Sequence, residues 1–162
     1  MFKIQLDTAL INSALRRAPE YNLSYRHGCI LGQASLPLGA VRFVVVPNFN
    51  GTHLVFSIPF SEIKGEITGF LLSKLLGMFW GMIGKQIDAA VLPKLRRLGL
   101  PHDTITHEKR KTPQGEVGQI KVSAEAINWW LSSQHPRLTP SLISMEFSPE
   151  GVELQGDLRS VT

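Results

Sequence analysis

The spacing of apolar residues divides the chain into two β-type ends and a helical centre. Residues 21–60 alternate between apolar and polar positions and contain turn-forming segments at 26–28, 36–39 and 48–51. The last of these contains Asn-Gly, the dipeptide best suited to a tight hairpin because both residues tolerate positive φ. This region therefore predicts a meander of three or four antiparallel strands.

The strand that follows the Asn-Gly turn has two distinct faces. Alternation places four apolar side chains on one of them: Leu54, Phe56, Ile58 and Phe60. Because successive side chains of a strand point to opposite sides, we expect this face to pack in the core and the other to be wetter.

The centre of the chain predicts one long helix. From residue 63 to residue 98, apolar residues recur at every third or fourth position. Pro93 lacks an amide donor, so we expect a new turn or a kink there. The most apolar stretch, 69–84, gives only about 24 Å of helix against a membrane core of roughly 30 Å, and it contains Lys74. We expect it to be wrapped by a sheet, to lie on a membrane, or to pair with a second copy.

A twelve-residue segment occurs twice. Residues 4–15 align without a gap on residues 120–131, and Ile, Ile, Asn and Leu are identical at the same offsets. An Asp or Ser stands at the N-cap position of each copy, so each predicts a short strand leading into a capped helix. We expect the shared Asn12 and Asn128 to bond backbone groups where strand meets helix, and not to carry chemistry.

These patterns predict a single α+β domain over residues 1–162, with a curved antiparallel sheet wrapped around a long central helix. Two similar β-α-β(hairpin) halves, an internal repeat over 3–62 and 102–160, are joined by helix 63–98. The chain is 43% hydrophobic, which supplies one well-buried core. The lone Cys29 excludes an internal disulfide.

The chain resembles the tubular lipid-binding (TULIP-like) superfamily and its small bacterial lipid-handling proteins. The resemblance rests on a strand, a capping Ser or Asp, and a helix with Ile-Asn-x-x-Leu, followed by long antiparallel hairpins. The direct match covers residues 3–16 and 119–132. The resemblance implies an apolar cavity for lipid tails and no catalytic residues. The chain lacks the signal peptide or lipid-attachment cysteine of many such proteins, so we expect a cytoplasmic or peripheral membrane location, or a periplasmic one if a leader was removed.

The residues that could carry chemistry do not form a recognisable catalytic or metal-binding pattern. His102 and His107 are close in sequence, but their spacing on a predicted strand points the rings to opposite faces. The chain has no Gly-x-Ser-x-Gly elbow, and its helix glycines do not match a phosphate-binding loop. We therefore expect a protein that is not an enzyme and that uses no metal and no cofactor.

We predict that the protein binds a lipid or another hydrophobic molecule in an apolar groove. The predicted lining residues are Phe56, Ile58, Phe60, Phe70, Leu71, Leu75, Gly77, Met78, Phe79, Gly81 and Met82. Ser73, Gly77 and Gly81 share one helix face at a spacing of four. Small residues there predict close approach by the helix's own sheet, by an acyl chain, or by a second copy in a homodimer.

Basic residues suggest a further partner. The net charge is +4, and two groups of cations occur in neighbouring segments: Arg96, Arg97, Lys109, Arg110 and Lys111. Such groups attract an anionic surface, either a membrane or a nucleic acid, although they are also typical of a solvated surface. Aromatic residues are not interleaved with them, which weighs against nucleic acid.

Overall fold

The protein has an α+β fold with antiparallel sheets and one long central helix. Its computed structural model describes residues 1–37, 39–66, 70–134 and 136–160. The helices are α1 (Thr8–Leu15), α2 (Phe70–Leu98) and α3 (Ala124–Gln134). The strands are β1 (Phe2–Asp7), β2 (Ser24–Arg26), β3 (Cys29–Leu36), β4 (Gly39–Phe49), β5 (His53–Pro59), β6 (Lys64–Gly65), β7 (Ile105–Thr112), β8 (Gly115–Ser123), β9 (Leu138–Ser148) and β10 (Gly151–Ser160).

The described strands form two sheets. The larger has the order β2-β3-β4-β5-β8-β7, with the short β6 also paired to β4, and the smaller has the order β1-β10-β9. All pairs are antiparallel. The long strand β4 changes partner along its length, pairing with β3 up to Val45 and with β5 from Val46 onward. The meander predicted for residues 21–60 is confirmed.

The turn predicted at residues 48–51 is present and is held by a side chain. Asn50 Oδ1 accepts hydrogen bonds from the backbone N–H groups of Thr52, at 3.0 Å, and His53, at 2.8 Å. Gly51 adopts a φ of 96°, which a residue with a Cβ rarely adopts. These contacts fix the register in which β4 and β5 pair.

The main core lies between α2 and the larger sheet. Leu75 and Phe79 of the helix have no exposed surface, and they belong to the same buried cluster as Val41, Phe43 and Ile58 of the sheet. The ring centroids of Phe43 and Phe79 are 5.0 Å apart. One face of α2 is therefore an integral part of the protein core.

Two glycines allow α2 to lie close to β7 and β8. A Cβ on Gly118 of β8 would overlap the ring of Trp80, and a Cβ on Gly84 of α2 would lie 2.9 Å from the ring of His107. His107 Nε2 in turn contacts Asp88 Oδ1 at 3.0 Å. The helix is thus fitted to this edge of the sheet by ring contacts and a polar pair.

A second core joins the smaller sheet to β2, with α1 and α3 beside it. Tyr25 is 1% exposed and packs with Leu142, Val152 and Leu154. Its hydroxyl donates a hydrogen bond to the carbonyl of Ser148 at 2.7 Å. Because Tyr25 belongs to the larger sheet and Ser148 to the smaller, this contact ties the two sheets together.

The helix α2 ends at Leu98 as predicted but begins later than predicted. Residues 60–62 form a 3₁₀ turn, and 64–65 pair with β4, so the helix predicted from residue 63 begins at Phe70; residues 67–69 lie outside the described part of the chain. Ile63 follows a helical spacing, yet it is buried as part of this extended segment. The helix also continues through Pro93 to Leu98. Pro93 and Ala89 are both exposed, so water can bond the carbonyl that the missing N–H leaves free.

The full helix is long enough to cross a membrane, unlike the sixteen-residue stretch considered from sequence alone. The most apolar 18-residue window within Leu71–Leu98 has a mean hydropathy of 1.2, and this is the one described helix that meets the length and composition of a span. A mostly buried core helix of a soluble protein meets the same criteria; in this helix Leu75, Phe79 and Ile83 are buried in protein, whereas 22% of the apolar window as a whole is buried.

Candidate functional site

An apolar groove runs between the second half of α2 and the larger sheet. Its volume is about 400 Å³. The segment that connects α1 to β2 forms one side of it, and α2 forms the other. The lining residues are Ala18, Glu20, Tyr21, Leu23, Phe43, Val45, Ile58, Ile83, Gln86, Ile87, Ala90, Val91 and Ile120. Sites for small molecules in proteins usually measure roughly 300–1,000 Å³ and are lined mainly by apolar side chains, so this groove has a suitable size and chemistry.

The floor of the groove is continuous with the main core. Phe43, Ile58 and Ile83 are buried, whereas Gln86 and Ala90 lie at the exposed rim. A ligand in the groove would thus contact side chains whose positions are already fixed by packing. Such pre-organisation reduces the entropy lost on binding.

Few polar groups line the groove. Glu20 and Gln86 are exposed, and the Tyr21 ring stands edge-on to Phe43 with centroids 6.5 Å apart. Burial, with a smaller contribution from the Glu20 carboxylate, raises the pKa of the Tyr21 hydroxyl. Tyr21 therefore remains a neutral hydrogen-bond donor at physiological pH, and Glu20 makes this side of the groove unfavourable for an anionic head group.

The structure distributes the predicted lining residues among different environments. Leu75, Phe79 and Phe60 lie in the main core, and the Phe60 ring packs against Trp80 with centroids 6.2 Å apart. Ile58 lines the groove, and Phe56 and Met82 are half-buried beside the core. Phe70 is the first residue of α2.

The remaining predicted residues lie on the outer face of α2. Leu71 and Met78 are 49% and 41% exposed. A Cβ on Gly77 or Gly81 would meet no atom within 4 Å. Of the three explanations considered for the small residues, close packing on the helix's own sheet does not apply to Gly77 and Gly81.

Sequence patterns gave no direct sign that the groove would form between Ile87 and Ile120. Both residues follow the apolar periods of their elements, but so do residues of the filled core. The groove exists because α2 continues past the point where Phe79 fills the sheet and because the 18–23 segment stands away from the helix. Neither feature leaves a local signal in the sequence.

The predicted basic residues do not form one patch. Arg96 and Arg97 end α2, whereas Lys109 and Lys111 occupy the far half of β7. The seven residues from Ile105 to Lys111 span about 20 Å of strand. Acidic residues also approach two of these cations: Glu116 lies 3.8 Å from Lys109, and Glu108 lies 4.0 Å from Arg110.

A second, polar cleft of about 450 Å³ lies where the β4–β5 turn meets the start of α3. Its lining includes His53, Asp103, Ser123 and Glu125. The Ser123 hydroxyl is buried without a hydrogen-bond partner among the described residues. The cleft is lined by two carboxylates and several uncharged polar side chains, so it is less suited to a hydrophobic ligand than the groove. Across the described part of the chain, no group of three or more His, Cys, Asp or Glu side chains is arranged to hold a metal ion.

No protein-family model matches this chain, and comparisons with curated proteins and with solved structures give no match.

Proposed function

We propose that the protein binds a hydrophobic molecule, such as a lipid chain, without catalysing a reaction, and that the groove beside α2 is the binding site. The observation that carries the proposal is an apolar groove of about 400 Å³ whose floor is the buried surface of Phe43, Val45 and Ile58. Apolar surface that stays exposed in a concave site is costly in water, and such surface is typical of binding sites.

The proposed architecture is a sheet that curves around α2 and is built from two related halves. It is supported by the two strand-helix units β1-α1 and β8-α3, which coincide with the sequence repeat. It is further supported by the similar bonds that Asn12 and Asn128 make to later strands. The resemblance to TULIP-like proteins, which rests on the same repeat, agrees with a role in lipid handling.

The proposal is tested by native mass spectrometry of the purified protein and by titration with N-phenyl-1-naphthylamine. This uncharged probe avoids repulsion by Glu20 and fluoresces in apolar surroundings. We expect saturable binding that a long-chain alcohol displaces. If neither a bound molecule nor saturable fluorescence is found, the proposal is wrong.

A pair of variants locates the site. Ala90 lines the groove, whereas its neighbour Ala89 is exposed and does not. Ala90→Trp should weaken probe binding about tenfold, because it displaces roughly 60 Å² of apolar contact. Ala89→Trp should bind the probe as the wild type does. Equal binding by both variants would place the probe elsewhere.

The open face of α2 favours a second function, homodimerisation. Leu71, Met78, Gly77 and Gly81 form an exposed strip along the helix, and small residues allow two helices to approach closely. Because Gly77 and Gly81 face open space, replacing both with Leu should leave the monomer folded and shift a dimer to the monomer elution volume. An unchanged elution volume with intact circular dichroism would remove this proposal.

A further inference from the structure

One end of the smaller sheet carries an apolar surface that the groove does not include. A depression of about 210 Å³ is lined almost entirely by carbon, and its residues are Phe2, Ile4, Leu131, Leu138, Pro140 and Leu158. Leu138 also lines a shallow depression with Gln134, Pro136 and Arg137. The two depressions therefore meet at Leu138, where β9 begins.

Two large apolar side chains stand exposed around this end. Trp130 is 53% exposed and Leu158 is 40% exposed. Trp130 precedes Gln134 by one helical turn, so it lies beside the shallow depression. Trp129 lies instead one turn after the exposed Glu125, on the side of α3 that carries an acidic residue. Tryptophan is enriched at membrane–water interfaces because its ring is apolar and its N–H remains hydrated.

Two arginines flank the same apolar end. Arg159 lies between Leu158 and Ser160 on β10 and pairs with Thr139 of β9. Arg137 immediately precedes Leu138. Because side chains alternate along β10, Arg159 points away from the depression that Leu158 lines. Neither arginine forms an ion pair with a described residue, and Asp157 is the nearest acid along β10.

We infer that this end of the molecule docks on an anionic phospholipid bilayer. The docking face consists of Trp130, Arg137, Leu138, Leu158 and Arg159. Trp130, Leu138 and Leu158 enter the interface. Arg137, beside Leu138 in the shallow depression, and Arg159, on the other face of β10, extend to lipid phosphates. The surface of a bilayer presents both chemistries, with anionic phosphates in an outer layer and apolar chains directly beneath them. This arrangement matches apolar side chains flanked by cations.

This inference does not depend on the proposed ligand groove. Trp130 and Leu158 are absent from the groove lining, and the groove residues are absent from the docking face. A protein with an empty groove would still bind vesicles through the docking face. Conversely, a protein that takes up the probe but ignores vesicles would retain the proposed function and lose this inference.

The test is co-sedimentation of the full chain with vesicles of phosphatidylcholine, either alone or mixed with phosphatidylglycerol. We expect binding to the mixed vesicles, little binding to phosphatidylcholine alone, and release by added salt. Each arginine should contribute about a fivefold change in the partition coefficient, so Arg137→Gln with Arg159→Gln should lower it about 25-fold. Trp130→Ala should lower it by about tenfold.

Two controls separate the docking face from other surfaces. The variant Lys109→Gln, Arg110→Gln and Lys111→Gln removes more charge from β7 and should bind within about a factor of three of the wild type. Met78→Ala removes an exposed apolar side chain from α2 and should leave binding unchanged. All of these positions are exposed, so circular dichroism should show folded protein in each case.

Fluorescence quenching gives an independent readout. Brominated phosphatidylcholine in the mixed vesicles should quench the emission of the Trp80→Phe variant, in which Trp129 and Trp130 remain. It should quench the Trp130→Phe variant much less. The inference is overturned if vesicles of both compositions bind equally, if the β7 variant loses binding while the arginine variant keeps it, or if Trp130 is not quenched.

Discussion

The side-chain oxygen of Asn128 accepts a hydrogen bond from the backbone N–H of Leu142 at 2.9 Å. Leu142 lies on β9, which is the edge strand of the smaller sheet, at the point where its register with β10 shifts. Asn12 makes the same kind of contact to the N–H of Tyr25 at 2.6 Å, on β2 at the edge of the larger sheet. Each asparagine therefore satisfies a donor that strand pairing leaves free, and it occupies a sheet edge that would otherwise be open.

Asn128→Ala should lower the free energy of unfolding by about 1–3 kcal/mol, because it leaves the Leu142 N–H without its partner in a largely buried position. Asn12→Ala should have a similar effect through Tyr25. The measurement is urea denaturation followed by circular dichroism. Asn48→Ala serves as the control, since Asn48 is exposed on β4 and should change stability by less than about 0.5 kcal/mol. Equal effects at all three positions would contradict the edge-strand role.

The glycines of α2 should respond to alanine in opposite directions. Gly81→Ala adds a methyl group in open space, so it should raise stability by up to about 1 kcal/mol through helix propensity. Gly84→Ala places its methyl group against the His107 ring and should lower stability by about 1–3 kcal/mol. Thermal unfolding of the two variants measures the contrast. Destabilisation by Gly81→Ala would indicate that its face is covered in solution, as in the proposed dimer.

Tyr25→Phe tests the connection between the two sheets. The change removes the hydroxyl that donates to the Ser148 carbonyl, and it leaves the ring in place. We expect a loss of about 1–2 kcal/mol, since the carbonyl loses a partner in a site where Tyr25 is 1% exposed. Tyr21→Phe is the matched control, and its half-buried ring should tolerate the change with a smaller loss. Denaturant unfolding with an unchanged m-value would show that the effect lies in stability.

Local patterns predicted the strands and turns well because each depends on neighbouring residues. The Asn-Gly turn and the two strand-helix units are examples. The start of α2 was placed too early because Ile63 continues the helical spacing, although pairing of β6 with β4 holds that segment extended. The asparagines were expected to bond backbone where strand meets helix, whereas they reach strands 13 and 14 residues later in the chain.

The candidate site was harder to predict from the sequence than the strands and turns were. Alternation shows that Phe43 and Ile58 face the interior, but it does not show which interior positions lack a covering residue. That depends on where Phe79 meets the sheet and on the path of residues 18–23, both of which are set by tertiary packing. From the sequence, the apolar residues of α2 were therefore predicted to line a single ligand site. In the structure, packing divides them between the core, the groove and the outer face of the helix.

The pH dependence of stability should reveal the ion pair between Lys121 and Glu108. The Lys121 ammonium donates a hydrogen bond to the carboxylate, with Nζ and Oε1 2.7 Å apart, and this contact lowers the pKa of Glu108 below its usual 4.5. A lowered pKa in the folded state means that the stabilisation is present above the unfolded-state pKa. It is lost as the pH falls through the folded-state value, because the unfolded chain then binds the proton more readily.

Lys121→Met should therefore have a lower melting temperature than the wild type near pH 7, and the difference should shrink as the pH falls through the lowered pKa of Glu108 in the folded state. Added salt should reduce the difference at pH 7 because the carboxylate is exposed. Lys85→Met, at an exposed position of α2, removes the same charge away from Glu108 and should show no comparable pH dependence. A difference between wild type and Lys121→Met that persists at low pH would instead indicate lost packing of the lysine side chain.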